Sequence, residues 1–187
     1  MAPQAEPEKQ QKLSVSFRKA AARDLPAVID LYTTSFHKFV QTGDDLRGYF
    51  MDALGSPSQS LVVATDAEDK VAGFLLLSTD NSFRPGALNV DVIAVNDAYR
   101  GHGIGSQLME FADKAALRND FNAVTLQVHE ENAGAIRLYE RLGFSIVGEY
   151  PRYYRDGSNA YAMQKTFAPR QAARLATAKD HLRKAGM

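Results

Sequence analysis

The 187-residue chain has no cysteine and no tryptophan. Without cysteine there can be no disulfide framework, no thiolate metal site and no cysteinyl acyl intermediate, a composition that fits a reducing compartment. Net charge is also absent, because Lys plus Arg and Asp plus Glu each number 22. That balance removes both the basic field of a nucleic-acid binder and the acidic surplus of a disordered chain. No apolar run reaches about 18 residues, the length of a membrane span, and the polar opening Met1 to Lys12 carries no signal-like apolar segment. The expectation is a cytoplasmic protein with no membrane, nucleic-acid or metal partner.

What is present suffices for one core. The hydrophobic fraction is 45%, and a chain of this length buries roughly 70% of its unfolded surface as a single domain. Residues 1–12 are expected to form a disordered tail and 13–167 the folded domain. Residues 168–187 are read as a C-terminal helical extension, with Ala172, Leu175, Ala176 and Leu182 on one face for packing on the domain or on a second copy. Monomer and homodimer both remain open.

Within the domain, periodicity predicts alternating strands and helices. Val15 to Lys19 reads as a strand, and Asp24 as the cap of a helix lined by Leu25, Val28, Ile29, Leu31 and Tyr32. A second helix is expected within Phe36 to Phe50. Leu61–Thr65 and Val71–Ser78 form a hairpin across the polar turn Asp66 to Lys70. Leu88–Val95 precedes a helix patterned by Ile104, Leu108, Phe111 and Ala115. Ala123–Val128 is the fifth strand, and Asn132 caps a short helix with Ala135, Leu138 and Leu142 on its apolar stripe. Ser145–Tyr154 and Tyr161–Thr166 then close a hairpin through Arg155 to Ser158.

The segment Tyr99-Arg100-Gly101-His102-Gly103-Ile104-Gly105-Ser106 joins strand to helix. Its glycines lack the Cβ atoms that would hold a diphosphate away, and the first N–H groups of the helix are unpaired donors with about half a positive charge. A P-loop would need Lys after Gly105, where Ser106 stands; the dinucleotide fingerprint would need Gly or Ala at 106. A different phosphate ligand is implied, although a packing turn would also use glycine here. One helix and one strand later comes Asn132-Ala133-Gly134-Ala135-Ile136-Arg137-Leu138-Tyr139-Glu140-Arg141-Leu142-Gly143-Phe144, in which Gly143 suits a left-handed helix end and Phe144 its hydrophobic contact.

Together, Arg100-x-x-Gly103-x-Gly105 and the Asn132–Phe144 block resemble the two signatures of the GNAT superfamily of N-acetyltransferases, nearest in pattern to the protein amino-terminal and ribosomal-protein acetyltransferases. The resemblance implies a single α/β domain, with a mixed, mostly antiparallel sheet of six to seven strands, helices on both faces and a splayed central parallel pair. It implies acetyl-CoA as co-substrate. Ile93, Ala94 and Val95 would meet the pantetheine arm. Arg100, Gly101, His102, Gly103, Ile104, Gly105 and Ser106 would hold the pyrophosphate, with Asn132 and Ala135 also on the cofactor. Tyr139 would face the departing sulfur, although a helical Tyr is also ordinary core material.

An amine must shed a proton before it attacks. At pH 7 that costs a lysine about 4 to 5 kcal/mol and a peptide α-amine about 1 kcal/mol. In the resembled group a Glu or His often stands five residues before the Asn, where this chain has Gln127, a side chain that accepts no proton usefully. Asp91, a carboxylate interrupting an apolar strand, and His129 on the next strand are the candidate bases, acting through water. His129 could equally be a strand-end residue near solvent. Phe36, Phe39, Gln127, Tyr153 and Tyr154 are the candidate substrate contacts, although hairpin tyrosines also serve cross-strand packing. The expected activity is acetyl transfer to an α-amine or lysine of a protein or peptide. Two alternatives are a small amine such as a polyamine, amino acid or aminoglycoside, and a CoA-binding module without turnover.

Overall fold

A computed structural model describes residues 13–37, 45–80 and 84–168; the expected N-terminal tail, C-terminal helix and Phe39 lie outside them. Elements follow in the order β1 (Ser16–Lys19), α1 (Leu25–Ser35), α2 (Leu46–Gly55), β2 (Gln59–Thr65), β3 (Val71–Ser78), β4 (Ala87–Val95), α3 (Ile104–Arg118), β5 (Ala123–His129), α4 (Ala133–Arg141), β6 (Ser145–Tyr150) and β7 (Ala160–Thr166). The strands form one sheet in the order β1-β2-β3-β4-β5-β7-β6. Every neighbouring pair is antiparallel except β4 and β5.

That parallel pair stays together only from Ala87–Ala123 to Val90–Leu126. Past it, β4 continues to Val95 and β5 to His129 without facing residues, so the strands part as the resemblance implied. The parting coincides with a bulge. Leu77 faces Val90 and Leu76 faces Val92, which leaves Asp91 as the extra residue. One extra residue inverts the alternation of side chains. Before the bulge, Leu88 and Val90 belong to the core under α3 and α4; after it, Ile93 and Val95 do, while Val92 and Ala94 join the core under α1 and α2.

The second core centres on Phe50 and Phe74, whose rings meet edge to face at 5.7 Å. In the first, Ile104, Leu108, Met109, Ala112 and Ala116 of α3 are buried and half-buried Phe111 stacks on Phe17 at 5.7 Å. On α4 only Tyr139 is buried, with the expected stripe of Ala135, Leu138 and Leu142 half-covered beside it.

Three local expectations give way. The second helix starts within the expected Phe36 to Phe50 stretch but runs past it, from Leu46 to Gly55, and Asp45 caps it by accepting from the Gly48 N–H at 2.7 Å. A Cβ at Gly48 would collide with that carboxylate. Asp24 makes no side-chain cap on α1. Its oxygens accept instead from Arg18 Nη1 at 2.7 Å and Nη2 at 2.9 Å and from the Ala21 N–H at 2.7 Å. The two-pronged charged donor holds the carboxylate away from the first N–H groups of α1. Finally, β6 stops at Tyr150, short of Tyr154, because Pro151 has no N–H to donate and Arg152 turns to φ 54°.

Candidate active site

The parted strands open a cleft of about 670 Å³ that passes through the sheet. Tyr139, Asn132 and Ala135 line it from α4, on one face, and Tyr32, Phe36 and Tyr49 line it from α1, its C-terminal turn and α2, on the other. Asp91 to Val95 form one rim, Leu126 to His129 the opposite rim, and Tyr153, Tyr154 and Arg155 stand at one end. The Asn96 N–H donates to Ala72 O at 2.9 Å, toward β3. Backbone groups alternate along a strand, so those of Ile93 and Val95 point the other way, into the gap. A flexible chain bearing amides fits there as a substitute strand.

The glycine loop stands beside the cleft, and of its residues only Arg100 lines the wall. Gly101 and Gly103 take φ 80° and 76°, a conformation that gathers backbone N–H groups into a concave donor site at the start of α3. A Cβ on Gly103 would meet nothing within 4 Å, so that glycine answers to backbone conformation and leaves space in front of the loop. Gly105 is placed differently: a Cβ there would stand 3.4 Å from Leu138 Cδ2 and 3.8 Å from Val95 Cγ2, in ordinary contact with the core side of the loop. Ile104 is a core side chain offering only its amide, and His102 Nδ1 lies 2.9 Å from Arg100 O. Arg100 is exposed and pairs with Asp97 at 2.8 Å. Tyr99 anchors the loop from behind, donating to Asp66 Oδ2 at 2.6 Å in the β2–β3 turn.

Asn132 caps α4, its Oδ1 accepting from the Ala135 N–H at 3.1 Å, which leaves its amide NH₂ for another acceptor. Gly143 is left-handed at φ 89°, and the Phe144 N–H closes on Tyr139 O at 3.0 Å. That ending fixes the Tyr139 ring against Phe144 at 6.0 Å. Burial pushes the Tyr139 phenol up to about 12, which makes it a hydrogen-bond donor throughout the neutral range.

On the opposite face, Asp91 is exposed at its bulge. Its Oδ1 accepts from Ser78 Oγ at 2.8 Å and Asn89 Nδ2 at 2.7 Å, and Thr125 Oγ1 in turn donates to Asn89 Oδ1 at 2.9 Å. His129 Nδ1 accepts from the Glu131 N–H at 3.1 Å, and its ring lies 5.0 Å from that of Tyr154. With Nδ1 so engaged, the neutral imidazole carries its proton on Nε2 and acts as a donor there. Gln127 lines the same rim. Burial raises the Tyr154 phenol to about 12, with smaller contributions from Tyr153 and Tyr139.

Tyr32 and Tyr49 are cleft residues that the sequence did not single out. Burial, and then the Asp91 charge, push the Tyr49 phenol to about 12. A signal existed: Tyr49 precedes Phe50, and a helix that buries Phe50 fully turns its neighbour to the margin of the same face. Among the described residues no His, Cys, Asp and Glu group could hold a metal ion, and no helix is long and apolar enough to cross a membrane.

The chain is similar to known proteins. The profile described as the Acetyltransferase (GNAT) family matches residues 25–144. The N-alpha-acetyltransferase daf-31 of Caenorhabditis elegans is 34% identical over 128 residues, covering 66% of this chain and 69% of that protein. An L-methionine sulfoximine/L-methionine sulfone acetyltransferase of Pseudomonas paraeruginosa is 29% identical over 147 residues, 75% of this chain and 86% of its own. The structure of Ard1 from Thermoplasma volcanium superposes with a TM-score of 0.72 at 27% identity, covering 83% of this chain and 99% of that one. The chain therefore belongs to the GNAT family of acetyltransferases.

Proposed function

We propose that this protein transfers the acetyl group of acetyl-CoA to the α-amine of a protein or peptide. The observation that carries the reading is the cleft itself, which joins a phosphate-ready loop on one face of the sheet to an aromatic, carboxylate-bearing chamber on the other. Two substrates can then approach from opposite faces and meet between the strands, as direct transfer in a ternary complex requires.

The residues fit the co-substrate. Backbone groups of Ile93 and Val95 are oriented to pair with its pantetheine amides, and the amides from Gly101 to Ser106 with the Arg100 guanidinium suit its pyrophosphate. Asn132 keeps its NH₂ for a carbonyl, and Ala135 forms the adjoining wall. When bound, acetyl-CoA supplies an activated carbonyl and a thiolate leaving group. Tyr139 serves that sulfur by hydrogen bonding. With its phenol near 12 and a thiol in solution near 8.5, full proton transfer is uphill by about 5 kcal/mol.

The acceptor side favours an amine that is easily neutralised. Gln127 offers no base and the His129 Nδ1 already accepts from the Glu131 N–H, so the about 1 kcal/mol cost of neutralising an α-amine suits this cleft better than the cost for lysine. The name of the N-alpha-acetyltransferase daf-31 points the same way. The Pseudomonas relative favours a second reading, a small amino-acid-like amine.

Incubation with acetyl-CoA and unblocked peptides, followed by thiol detection and mass spectrometry, tests this. Thiol release with free but not with N-acetylated peptides is expected. Release with L-methionine sulfoximine alone would replace the reading with the small-amine one, and CoA binding without release from any amine would replace it with the binding-module one.

A further inference from the structure

Strand pairing brings the β2–β3 turn to the back of the glycine loop. β3 starts where β4 ends, with Gly73 facing Val95 and the Asn96 N–H donating to Ala72 O, so Asp66 before β3 and Tyr99 after β4 are neighbours although 33 residues apart. The turn is built around Asp66. Its Oδ1 accepts from the Glu68 and Lys70 N–H groups at 2.9 Å and 3.0 Å, and its own N–H donates to Lys70 O at 3.0 Å. With Oδ1 so engaged, Oδ2 is fixed in direction and accepts from the Tyr99 hydroxyl at 2.6 Å, a short charge-assisted bond.

Tyr99 is the residue on which the loop hangs. Its ring packs on the core under α3 and α4, and its N–H closes the short turn Asp97–Tyr99 on Asn96 O at 2.8 Å. At the far end of the loop Ile104 lies in the same core, 1% exposed. Between these two anchors stand Gly101 and Gly103, both at positive φ and both free by their chemistry to adopt many other conformations. The donor array depends on both ends being held, because an end set loose must be ordered again when the ligand binds, with a loss of affinity. Titration of each partner bears the mark of the bond between them. The Tyr99 hydroxyl holds the Asp66 carboxyl below its usual value, and Asp66 raises the Tyr99 phenol above its own.

We infer that Asp66 and Tyr99 are positioning residues for the co-substrate: through their hydrogen bond the β2–β3 turn holds the Arg100–Ser106 loop in its anion-ready shape. This rests on the acetyl-CoA reading for the identity of the ligand. The expected sign is opposite to that of simple charge. Asp66 is an anion near an anion site, so neutralising it would by Coulomb attraction alone tighten CoA, whereas a latch requires that binding weaken.

Calorimetric titration with CoA tests this without turnover. Tyr99→Phe, which deletes the hydroxyl and keeps the packed ring, should weaken CoA binding about fivefold, and Asp66→Asn should weaken it too. Because both variants break one and the same bond, the double variant should bind within about twofold of the weaker single. Asp69→Asn is the control on the same turn: it breaks the ion pairs with Arg18 at 3.0 Å and Arg23 at 3.1 Å, spares the Tyr99 bond, and should leave CoA affinity unchanged. With any amine that the wild type acetylates, Tyr99→Phe should raise KM for acetyl-CoA by the factor seen in binding and leave kcat and the KM of the amine as they are. Unchanged CoA affinity in a folded Tyr99→Phe, tighter binding in Asp66→Asn, an equal loss in Asp69→Asn, or strictly additive losses in the double variant each overturn the inference and leave acetyl transfer standing. If Asp66→Asn fails to fold, Tyr99→Phe against Asp69→Asn carries the test. CoA binding with the expected losses in a protein that acetylates nothing would retain the inference and sink the transfer reading, and a wild type that binds no CoA would sink both.

Discussion

The Tyr139 ring is packed on Phe144, and the residue lines the cleft with Asn132 and Ala135. Tyr139→Phe removes one oxygen and keeps the packing ring, so acetyl-CoA affinity should hold while kcat falls about tenfold or more, measured by thiol release and calorimetry. Equal losses in both would make Tyr139 a structural aromatic. Its candidacy came from the resemblance of the Asn132–Phe144 block to a known signature, since a helical Tyr taken alone reads as core material. Asp91 was legible only as an outlier in an apolar strand. Its clamp was not, since Ser78 and Thr125 are brought to it by strand pairing across long stretches of chain.

The glycine loop and the helix it opens act as one element. Gly103→Ala must force φ 76° on a residue with a Cβ, which costs about 1 to 2 kcal/mol. Nothing among the described residues lies within 4 Å of that Cβ, so it would intrude on the space before the amides. The expected outcome is a KM for acetyl-CoA raised several-fold with kcat nearly kept; an unchanged KM would remove the loop from cofactor binding. Strand–turn–helix order was readable here because each piece is local. The start of α2 was less so, because several residues in the stretch before it could cap a helix and sequence alone does not choose Asp45. The end of β6 required weighing Pro151 above the β-forming residues that follow it.

For the whole molecule, the ion network at the β1 end ties the first strand to α1 and to the β2–β3 turn. Arg18 bridges Asp24 and Asp69 at 2.7 Å and 3.0 Å. The Arg18 guanidinium holds the Asp24 carboxyl below its usual range, opposed by burial and aided by the Ala21 N–H. A carboxyl depressed on folding stabilises the protein above its unfolded value, near 4, and loses that contribution as pH falls below it. Asp24→Asn should therefore cost about 2 kcal/mol at pH 7 and progressively less as pH falls below about 4 toward the depressed folded-state value, read from urea midpoints; a constant difference down to acid pH would assign the effect to packing.

The single extra residue in β4 also makes strand length a matter of parity. Leu88 and Val90 lie on one side of the sheet and Val92 and Ala94 on the other because position 91 is counted but not paired. Forcing that residue into the regular ladder would exchange the inner and outer faces of everything up to Val95, whereas excising it would keep Val92 to Val95 on the faces they now occupy. The first change would reach the two cores and the cleft between them at once; the second would stay local to the bulge.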